Sequence, residues 1–456
     1  MNVAIIISNW PYIKNMNNKK EIFILTKSIC IAVLLELGMV SYSQTVDPPY
    51  EVAGWYGFRD AAITYTFDDG CSNQFTKAIP MLNEFGFGGT FFTVTNWTSN
   101  WTALQNAASQ GHEVASHTVS HPDLSTLDNS QQNTELENSA DIVYLHIEGM
   151  QGMTIAYPFC VPGNDSITAL FYFAARGCQG FIESSTPADF LNISSIICGN
   201  QGAVNSVTAF QQKADAASNS SGWCVYLIHG IDGDGGYSPL SSDTLRRSLE
   251  YLDSNTETFW VGTFGNVVRY IRERNCLAVH ETGQIEDTIR VEVADTLDKA
   301  VYDQPVTIRR PLPQEWEYAV GLQNEMEINT TIVEVNSENY IQFDAVPDDG
   351  EILLIKSEVP IEGLRDAVNN IQNHLKVWVD QQNLFFMLPP TSSPIREIGL
   401  YNIMGISFAK NHYLNVSANY GSIHLERETM TPGLYIVTVS DGNKMWTGKV
   451  QIPHQF

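Results

Sequence analysis

The chain has 456 residues, of which 17% are charged and 11% aromatic. This length allows about three domains at roughly 150 residues each, and the composition is that of a globular protein rather than a disordered one. The formal net charge of −26 argues against nucleic acid as a partner, because phosphates are neutralised by basic surfaces.

Residues 1–43 are typical of an export signal. Lys19, Lys20 and Lys27 precede the apolar stretch SICIAVLLELGMV, and Ser41 and Ser43 offer small residues for cleavage before residue 44. A membrane anchor is the alternative, but the stretch is shorter than the roughly 20 apolar residues that a spanning helix needs. We therefore predict a cleaved signal peptide and an exported protein that is not integral to a membrane.

Seven strand-like apolar runs alternate with segments of helical spacing between about residues 61 and 274. The runs are AITYTF, GTFFTVT, HEVASH, MTIAYPF, GFIES, WCVYLIH and TFWVGTF. Such alternation predicts parallel strands joined by helical crossovers. We predict an α/β fold over residues 51–276, a distorted or incomplete (β/α) barrel with its chemistry at the C-terminal ends of the strands.

Short β-rich runs replace the helical pattern after residue 276. TIRVEVAD, TTIVEVN and EILLIK predict a small β-sandwich over residues 277–357. A linker at residues 358–374 then leads to a second predicted β-sandwich at residues 375–456. The predicted barrel is thus followed by two small β-sandwich domains.

Two segments place metal-binding or acid–base side chains at predicted strand ends. Asp68 and Asp69 end the first strand in TFDDG, where a plain turn is the alternative. His117 and His121 in SHTVSH would lie about 13 Å apart on an extended strand, but only about 5–6 Å apart on a helical turn. If these imidazoles share one ion, the strand must break into a turn just before His117.

Two further segments complete the set. Pro158 ends the strand in AYPFC and lets backbone N–H groups point into a site. The apolar strand CVYLI delivers His229 to its C-terminal end, although a buried core histidine is the alternative for this residue taken alone.

TFDDG, SHTVSH and YLIHG, in this order, resemble the first, second and fifth motifs of the polysaccharide deacetylases with a NodB homology domain. These are carbohydrate esterases of family four, which use one divalent metal ion. WVGTFGNVVRYIRER is similar to the last strand and helix of that domain. The resemblance covers roughly residues 51–274 and implies the NodB type of incomplete barrel.

The resemblance implies a metal centre made by Asp69, His117 and His121. Two imidazoles and one carboxylate suit zinc, with cobalt or another divalent ion as alternatives, and they leave positions open for water and substrate. The ion would lower the pKa of a bound water, the nucleophile, and polarise the acetyl carbonyl.

The resemblance also implies the roles of three catalytic groups. Asp68 would be the general base and His229 the general acid for the departing amine or alcohol. The backbone N–H of Phe159, which follows Pro158, would stabilise the oxyanion.

The chain departs from the family in two motifs. The third motif normally begins with an arginine that orients the base, and Ala156 occupies that position. Arg59 and Arg176 are possible replacements that the sequence does not place. The fourth motif, which supports the acid histidine, is not clear, and Asp189 in STPADF is a possible substitute.

Two more expectations concern the surroundings of the site. Cys71 and Cys160 each follow a motif directly, so a disulfide between them is possible, although plain buried thiols are as well. GIDGDGGYSP is rich in Asp and Gly, which is typical of a calcium loop, but it lacks the 12-residue spacing and terminal Glu of an EF-hand. We predict instead a mobile substrate-side loop with Tyr237 available to stack on a sugar.

The last 80 or so residues resemble the C-terminal sorting domain of type IX secretion. The matching text is IGLYNIMGISF followed by MTPGLYIVTVSDGNKMWTGKVQI. Another carbohydrate-binding or spacer sandwich is the alternative. A sorting domain would imply the type IX machinery as a partner and a secreted or cell-surface location reached through the periplasm.

These features predict a secreted, metal-dependent hydrolase that removes N- or O-acetyl groups from a polysaccharide or oligosaccharide. The alternative is a carbohydrate-binding protein that keeps the scaffold but has lost activity, which Ala156 favours. Retention of all five motif carboxylates and imidazoles favours the enzyme.

Overall fold

The computed structural model describes residues 44–98, 100–150, 152–324 and 326–357, together with eight strands between residues 376 and 452. The predicted signal peptide at 1–43 and the predicted linker at 358–374 lie outside the described residues. None of the described helices has the length and apolar character that a membrane crossing requires.

A parallel β-sheet organises the first part of the chain. Its order is β7-β6-β5-β4-β3-β9-β8, with β10 also paired to β3. The strands up to this point are β1 (Thr45–Val46), β2 (Glu51–Val52), β3 (Ala61–Asp68), β4 (Thr90–Thr93), β5 (Glu113–Ser116), β6 (Thr154–Ala156), β7 (Ala174–Arg176), β8 (Ile196–Ile197), β9 (Trp223–Ile228) and β10 (Phe259–Val261).

Helices connect the parallel strands, as the alternating pattern predicts. Side chains at their N-caps accept backbone N–H bonds at several of them, and Asp128 and Gln131 form a full capping box. The helices are α1 (Ile79–Glu84), α2 (Trp101–Ser109), α3 (Asn129–His146), α4 (Asp165–Thr168), α5 (Val207–Asn219), α6 (Ser242–Asp253) and α7 (Phe264–Cys276).

The sheet is curled rather than flat. β7 lies four strand positions from β3, which would be about 19 Å in a flat sheet with 4.8 Å between strands. Arg176 on β7 nevertheless places Nη2 2.5 Å from Oδ2 of Asp68 on β3. Because no side chain spans the flat distance, the sheet must bend around on itself, and the expected incomplete barrel is confirmed in this form.

Strand β7 is the main difference from the predicted elements. The run GFIES at residues 180–184 was expected to be a strand but contains only an isolated bridge from Glu183 to Trp223. The strand on this side of the sheet is instead the three-residue AAR of β7, which pairs with β6 so that Ala156 is the register partner of Arg176.

Helix α7 packs on the inner face of the sheet. Its apolar residues join one buried cluster with alternate residues of the strands, such as Ala62, Phe92 and Ala115. The odd-numbered residues of β3, such as Ile63 and Phe67, face the outer helices and belong to a second buried cluster. The side chains of even-numbered β3 residues therefore point into the barrel, which decides the direction of Asp68.

Residues 278–357 form antiparallel strands in two sheets that include the N-terminal strands. One sheet has the order β1-β11-β12-β18-β14-β15, and the other has the order β16-β17-β13-β2. These strands are β11 (Ala278–Ile285), β12 (Thr288–Ala294), β13 (Val306–Pro311), β14 (Tyr318–Gln323), β15 (Met326–Ile328), β16 (Thr330–Val335), β17 (Glu338–Ala345) and β18 (Ile352–Ser357). Their buried residues belong to the same cluster as α7, so these sheets and the barrel interior share one core.

The remaining described strands make two antiparallel four-stranded sheets, β19-β20-β24-β23 and β22-β21-β25-β26. They are β19 (Lys376–Val379), β20 (Asn383–Met387), β21 (Glu397–Asn402), β22 (Ser407–Lys410), β23 (Asn415–Ser417), β24 (Tyr420–His424), β25 (Gly433–Ser440) and β26 (Met445–Ile452). The domain boundaries and the sorting function of this segment stay predictions.

A buried glutamate on α7 gives a testable pH dependence of stability. Oε1 of Glu273 accepts the N–H of Gln304 at 3.0 Å, while Oε2 has no hydrogen-bond partner among the described residues. Burial, reinforced by the charge of Asp295, raises the pKa of Glu273 to about 9 from an ordinary 4.5. The folded state therefore keeps a proton that the unfolded chain loses, and its stability falls as the pH rises from 4.5 to 9.

We expect Glu273→Gln to raise the free energy of unfolding at pH 8.5 by about 1–3 kcal/mol and to leave it nearly unchanged near pH 5. Glutamine keeps the acceptor for Gln304 but does not ionise. Denaturant unfolding at the two pH values measures the effect, with the exposed Glu292→Gln as the control. An equal change at both pH values would contradict it.

Candidate active site

Strand β3 ends in a turn that separates the two neighbouring carboxylates. Asp69 and Gly70 both have positive φ, 71° and 68°, so the chain turns sharply after Asp68. Asp68 is buried and points into the barrel with the even-numbered residues, whereas Asp69 is partly exposed at the rim. The turn expected from the sequence is present, and it sends adjacent carboxylates in different directions.

His117 and His121 meet, but not on a helical turn. β5 ends at Ser116, as expected, and a bend with positive φ at Thr118 and His121, 67° and 61°, follows it. The two ring centroids lie 4.8 Å apart. A helix was the wrong expectation because Pro122 disfavours the α conformation of the residue before it; Oγ1 of Thr118 accepts the N–H of His121 at 3.0 Å instead.

Asp69, His117 and His121 form a set that fits one metal ion. Their ligand atoms all lie within 4.8 Å of one another, and Nε2 of each histidine is 3.7 Å from Oδ1 of Asp69. That oxygen is buried without a hydrogen-bond partner among the described residues. Nδ1 of His117 donates to the carbonyl of Ala156 at 2.7 Å, which leaves the lone pair of Nε2 directed at the set.

The electrostatics agree with a cation at this position. Burial, with the charge of Asp68, raises the pKa of Asp69 to about 6. The ionised carboxylate is therefore disfavoured here, and a bound cation would stabilise it. Burial lowers the pKa of His117 to about 4 and lowers that of His121 as well. Both imidazoles are therefore neutral near pH 7, the form that binds metals.

Arg176 holds the carboxylate of Asp68. Its Nη2 donates to Oδ2 at 2.5 Å, and its Nη1 donates to Oγ of Ser195 at 3.0 Å. Burial opposes ionisation of Asp68, but the charge and hydrogen bond of Arg176 favour the carboxylate, and the pKa of Asp68 is lowered. The second oxygen, Oδ1, has no hydrogen-bond partner among the described residues, so Asp68 is an anchored carboxylate with one oxygen available.

His229 follows β9 and completes the group. Its Nε2 lies 3.8 Å from Oδ2 of Asp68 and 4.0 Å from Oδ2 of Asp69. Asp189 does not support it, contrary to expectation: its Oδ1 accepts the N–H of Leu191 at 2.8 Å, while Nδ1 of His229 has no partner among the described residues. Asp189 lies in a loop that folds on itself by this local contact.

The segment after β6 lies beside the metal ligands. Pro158 starts a short 3-10 turn in which Phe159 and Cys160 have positive φ, 55° and 62°. The ring of Phe159 lies 4.7 Å from that of His121. The expected bridge from Cys71 to Cys160 is wrong: Cys160 pairs with Cys178, and Cys71 is a free thiol. Pairing of β6 with β7 brings Cys178 to this place.

The carboxylate of Asp234 accepts three backbone hydrogen bonds in and beside the loop after His229. Oδ1 of Asp234 accepts the N–H groups of Ile231 and Gly236, and Oδ2 accepts the N–H of Asn73 at 3.0 Å. These contacts connect the loop to the turn after β3, and its predicted mobility stays a prediction. Tyr237 is available as predicted, since its ring lies 5.1 Å from that of His229 and is 46% exposed.

Sequence reasoning did not identify two residues that shape the site. Nε2 of the buried Gln74 donates to the carbonyls of Asp68 and His229 at 2.6 and 3.0 Å, which fixes the ends of β3 and β9 together. Trp97 stacks on His121 with 5.1 Å between centroids. Only the nearness of Gln74 to TFDDG could have drawn attention to it.

Comparisons with known proteins are consistent with this geometry. Residues 57–170 match the family model described as polysaccharide deacetylase. The chain is 28% identical over 344 residues to a gellan lyase of a Bacillus species, covering 71% of this chain and 14% of that protein. It is 31% identical over 88 residues to the peptidoglycan-N-acetylmuramic acid deacetylase PdaA of Bacillus subtilis, covering 19% of this chain and 34% of that protein.

Among solved structures, the Xyl-CE4 domain of a multidomain xylanase from the hindgut metagenome of Trinervitermes trinervoides is 20% identical, with a TM-score of 0.33. The similarity covers 45% of this chain and 89% of that domain. The chain thus spans about a third or less of the two curated relatives named above. The family match and its relatives support a polysaccharide deacetylase domain of the NodB type that includes residues 57–170.

Proposed function

We propose that this chain is a metal-dependent deacetylase that hydrolyses N- or O-acetyl groups on a glycan. The observation that supports it is the convergence of five groups from three strand ends. The ligand atoms of Asp69, His117 and His121 lie within 4.8 Å of one another, and Asp68 and His229 lie within 4.0 Å of members of that set. Hydrolysis of an acetyl group needs a base, an acid and charge stabilisation at one point.

Asp69, His117 and His121 would hold the ion, with zinc favoured by two imidazoles and one carboxylate. When bound, such an ion activates water and polarises a carbonyl. Asp68 takes the proton of the attacking water on Oδ1, while Arg176 keeps Oδ2 in place. Holding the base as a carboxylate requires this partner because Asp68 is buried.

His229 donates a proton to the departing amine or alcohol on the other side of the acetyl carbon. The N–H of Phe159 stabilises the charge that develops on the carbonyl oxygen. The products are acetate and the free amine or hydroxyl of the glycan. The alternative is an inactive carbohydrate binder, which Ala156 favours; the contact of Arg176 with Asp68 instead supports the enzyme, because it supplies an arginine to the base.

We also propose that the protein acts outside the cytoplasm, as a secreted or surface enzyme exported by the type IX machinery. The disulfide Cys160–Cys178 supports an oxidising compartment. The similarity to a gellan lyase supports a polysaccharide as the partner, but covers only 14% of that protein. Detection of the chain in the cell lysate alone would contradict export.

Acetate release from a panel of acetylated glycans tests the proposed function. The protein, stripped by a chelator and reloaded with zinc or cobalt, is expected to release acetate. Asp68→Asn is expected to lower kcat by about 10²–10⁴-fold, the contribution of a general base, with metal binding retained. His117→Ala is expected to lose both metal and activity.

His280→Ala is the matched control, because His280 on β11 contacts Asp47 and no site residue among those described. Unchanged acetate release in both Asp68→Asn and His117→Ala would remove the proposed mechanism. A protein that binds metal and glycan but releases no acetate from any substrate would favour the binder.

A further inference from the structure

Exposed aromatic side chains concentrate around the site. Five large aromatic side chains are exposed in the described part of the chain: Trp97, Tyr144, Phe159, Phe181 and Tyr237. Three of these five contact a histidine of the site: Trp97 and Phe159 contact His121, and Tyr237 contacts His229. An apolar group kept in water beside a polar centre is typical of a binding surface.

Trp97 has the geometry of a stacking platform. Its ring is nearly parallel to that of His121, with 29° between planes, so one face is covered. The side chain is still 55% exposed, which leaves the opposite face open. The turn that carries it is fixed to the histidine bend, since Thr95 and Asn96 donate N–H bonds to Thr118 and Val119 at 3.2 and 3.0 Å.

Phe159 and Tyr237 extend this surface on the other loops. Phe159 is 65% exposed and is held by a backbone with positive φ that a non-glycine residue adopts at a cost. Tyr237 presents its ring beside the proposed acid, His229. The chain thus places one exposed aromatic ring on each of the loops after β4, β6 and β9.

Resting on the proposed function, we propose that Trp97, Phe159 and Tyr237 form an aromatic rim that binds the C–H faces of pyranose rings in a glycan chain, with Trp97 as the principal platform. Aromatic rings supply large contact area at low entropic cost, and the polar edges of a sugar remain in water. Rings on three separate loops fit a substrate of more than one sugar unit rather than a small acetate ester.

The test measures binding and catalysis separately. In an Asp68→Asn background, calorimetry measures the affinity for chitopentaose and for acetylated xylopentaose, with and without Trp97→Ala. The affinity for at least one of these is expected to fall about tenfold, the loss of one aromatic contact. With Asp68 intact, Trp97→Ala should raise KM for that oligosaccharide about tenfold and change kcat/KM for 4-nitrophenyl acetate far less. Tyr144→Ala is the matched exposed-aromatic control.

A purely structural role of Trp97, orienting His121, predicts a different pattern. Zinc affinity and hydrolysis of the small ester would then fall together with oligosaccharide hydrolysis, which would overturn the proposal. Failure of both oligosaccharides to bind the Asp68→Asn parent would also overturn the aromatic rim. The proposed deacetylase activity would still stand in that case if the protein with Asp68 intact hydrolyses 4-nitrophenyl acetate. Binding that depends on Trp97 without any acetate release would instead overturn the proposed function alone.

Discussion

Arg176→Ala is expected to reduce kcat for acetate release by about 10²-fold or more, approaching the loss of the general base itself. The guanidinium donates directly to Asp68 Oδ2 inside the barrel. Without it, a buried carboxylate loses its cationic partner, which typically costs about 3–5 kcal/mol. Steady-state kinetics on the folded fraction, with zinc affinity measured in parallel, checks the result. Zinc affinity should change little because Arg176 does not touch the ligand set.

The position of Ala156 allows a rescue experiment. Ala156 and Arg176 are register partners on neighbouring strands, and both point into the barrel. An arginine moved from one to the other therefore starts about 5 Å away, within the reach of its side chain. Arg176→Ala combined with Ala156→Arg is expected to recover at least about tenfold of the lost kcat. Ala156→Arg alone should destabilise the protein, since it adds a second buried cation.

Arg274→Ala is the matched control for loss of a buried arginine. Arg274 is buried on α7, where it donates to the carbonyls of Gly54 and Ser185. Its removal should lower stability without lowering kcat of the folded enzyme. If Arg176→Ala behaves in the same way, or if the transposed arginine recovers nothing, Arg176 has a structural role only.

The metal and acid–base residues were predictable because they stand at strand ends. Parallel strands bring their C-terminal ends to one edge, so Asp69, His117 and His229 could be grouped from their positions alone. The two adjacent carboxylates point in different directions for a local reason: Asp69 and the glycine after it both have positive φ.

The partner of Asp68 was not predictable because it depends on the curl of the sheet. Arg176 lies 108 residues from Asp68 in sequence and four strands away in the sheet. Its strand has only three residues, too few for a periodic signal, whereas GFIES, which has the stronger pattern, makes only an isolated bridge to β9. The same cause explains the error in the disulfide: sequence adjacency to motifs suggested Cys71, but strand pairing selects Cys178.

Side-chain support of His229 was misassigned for a related reason. Asp189 lies in a loop without regular pattern, and only the folded loop shows that its carboxylate accepts a local backbone N–H. Trp97 likewise follows a strand without any motif, and its contact with His121 is a tertiary one. The sequence therefore identifies the reacting groups better than the groups that hold them.

Removal of the disulfide is expected to lower activity through the backbone of Phe159 and Cys160. Both residues have positive φ, 55° and 62°, which costs about 1–2 kcal/mol for each non-glycine residue. The bridge from Cys160 to Cys178 ties this segment to the end of β7, two residues beyond Arg176. In Cys160→Ser/Cys178→Ser, the segment can relax, and the N–H of Phe159 leaves its position. We expect kcat to fall by between about tenfold and the roughly 10²–10³-fold that complete loss of one oxyanion donor costs.

A glycine variant separates the backbone effect from the loss of the cross-link. Cys160→Gly/Cys178→Ser also lacks the bridge, so both double variants should lose the same stability, about 3 kcal/mol for a loop of this size. Glycine adopts positive φ without the penalty of a Cβ atom, so the glycine variant is expected to keep most of the wild-type kcat while the serine variant does not. Wild-type protein treated with a reductant should resemble the serine variant. Equal kcat values for the two double variants would show that the bridge acts on stability alone and not on the position of the oxyanion donor.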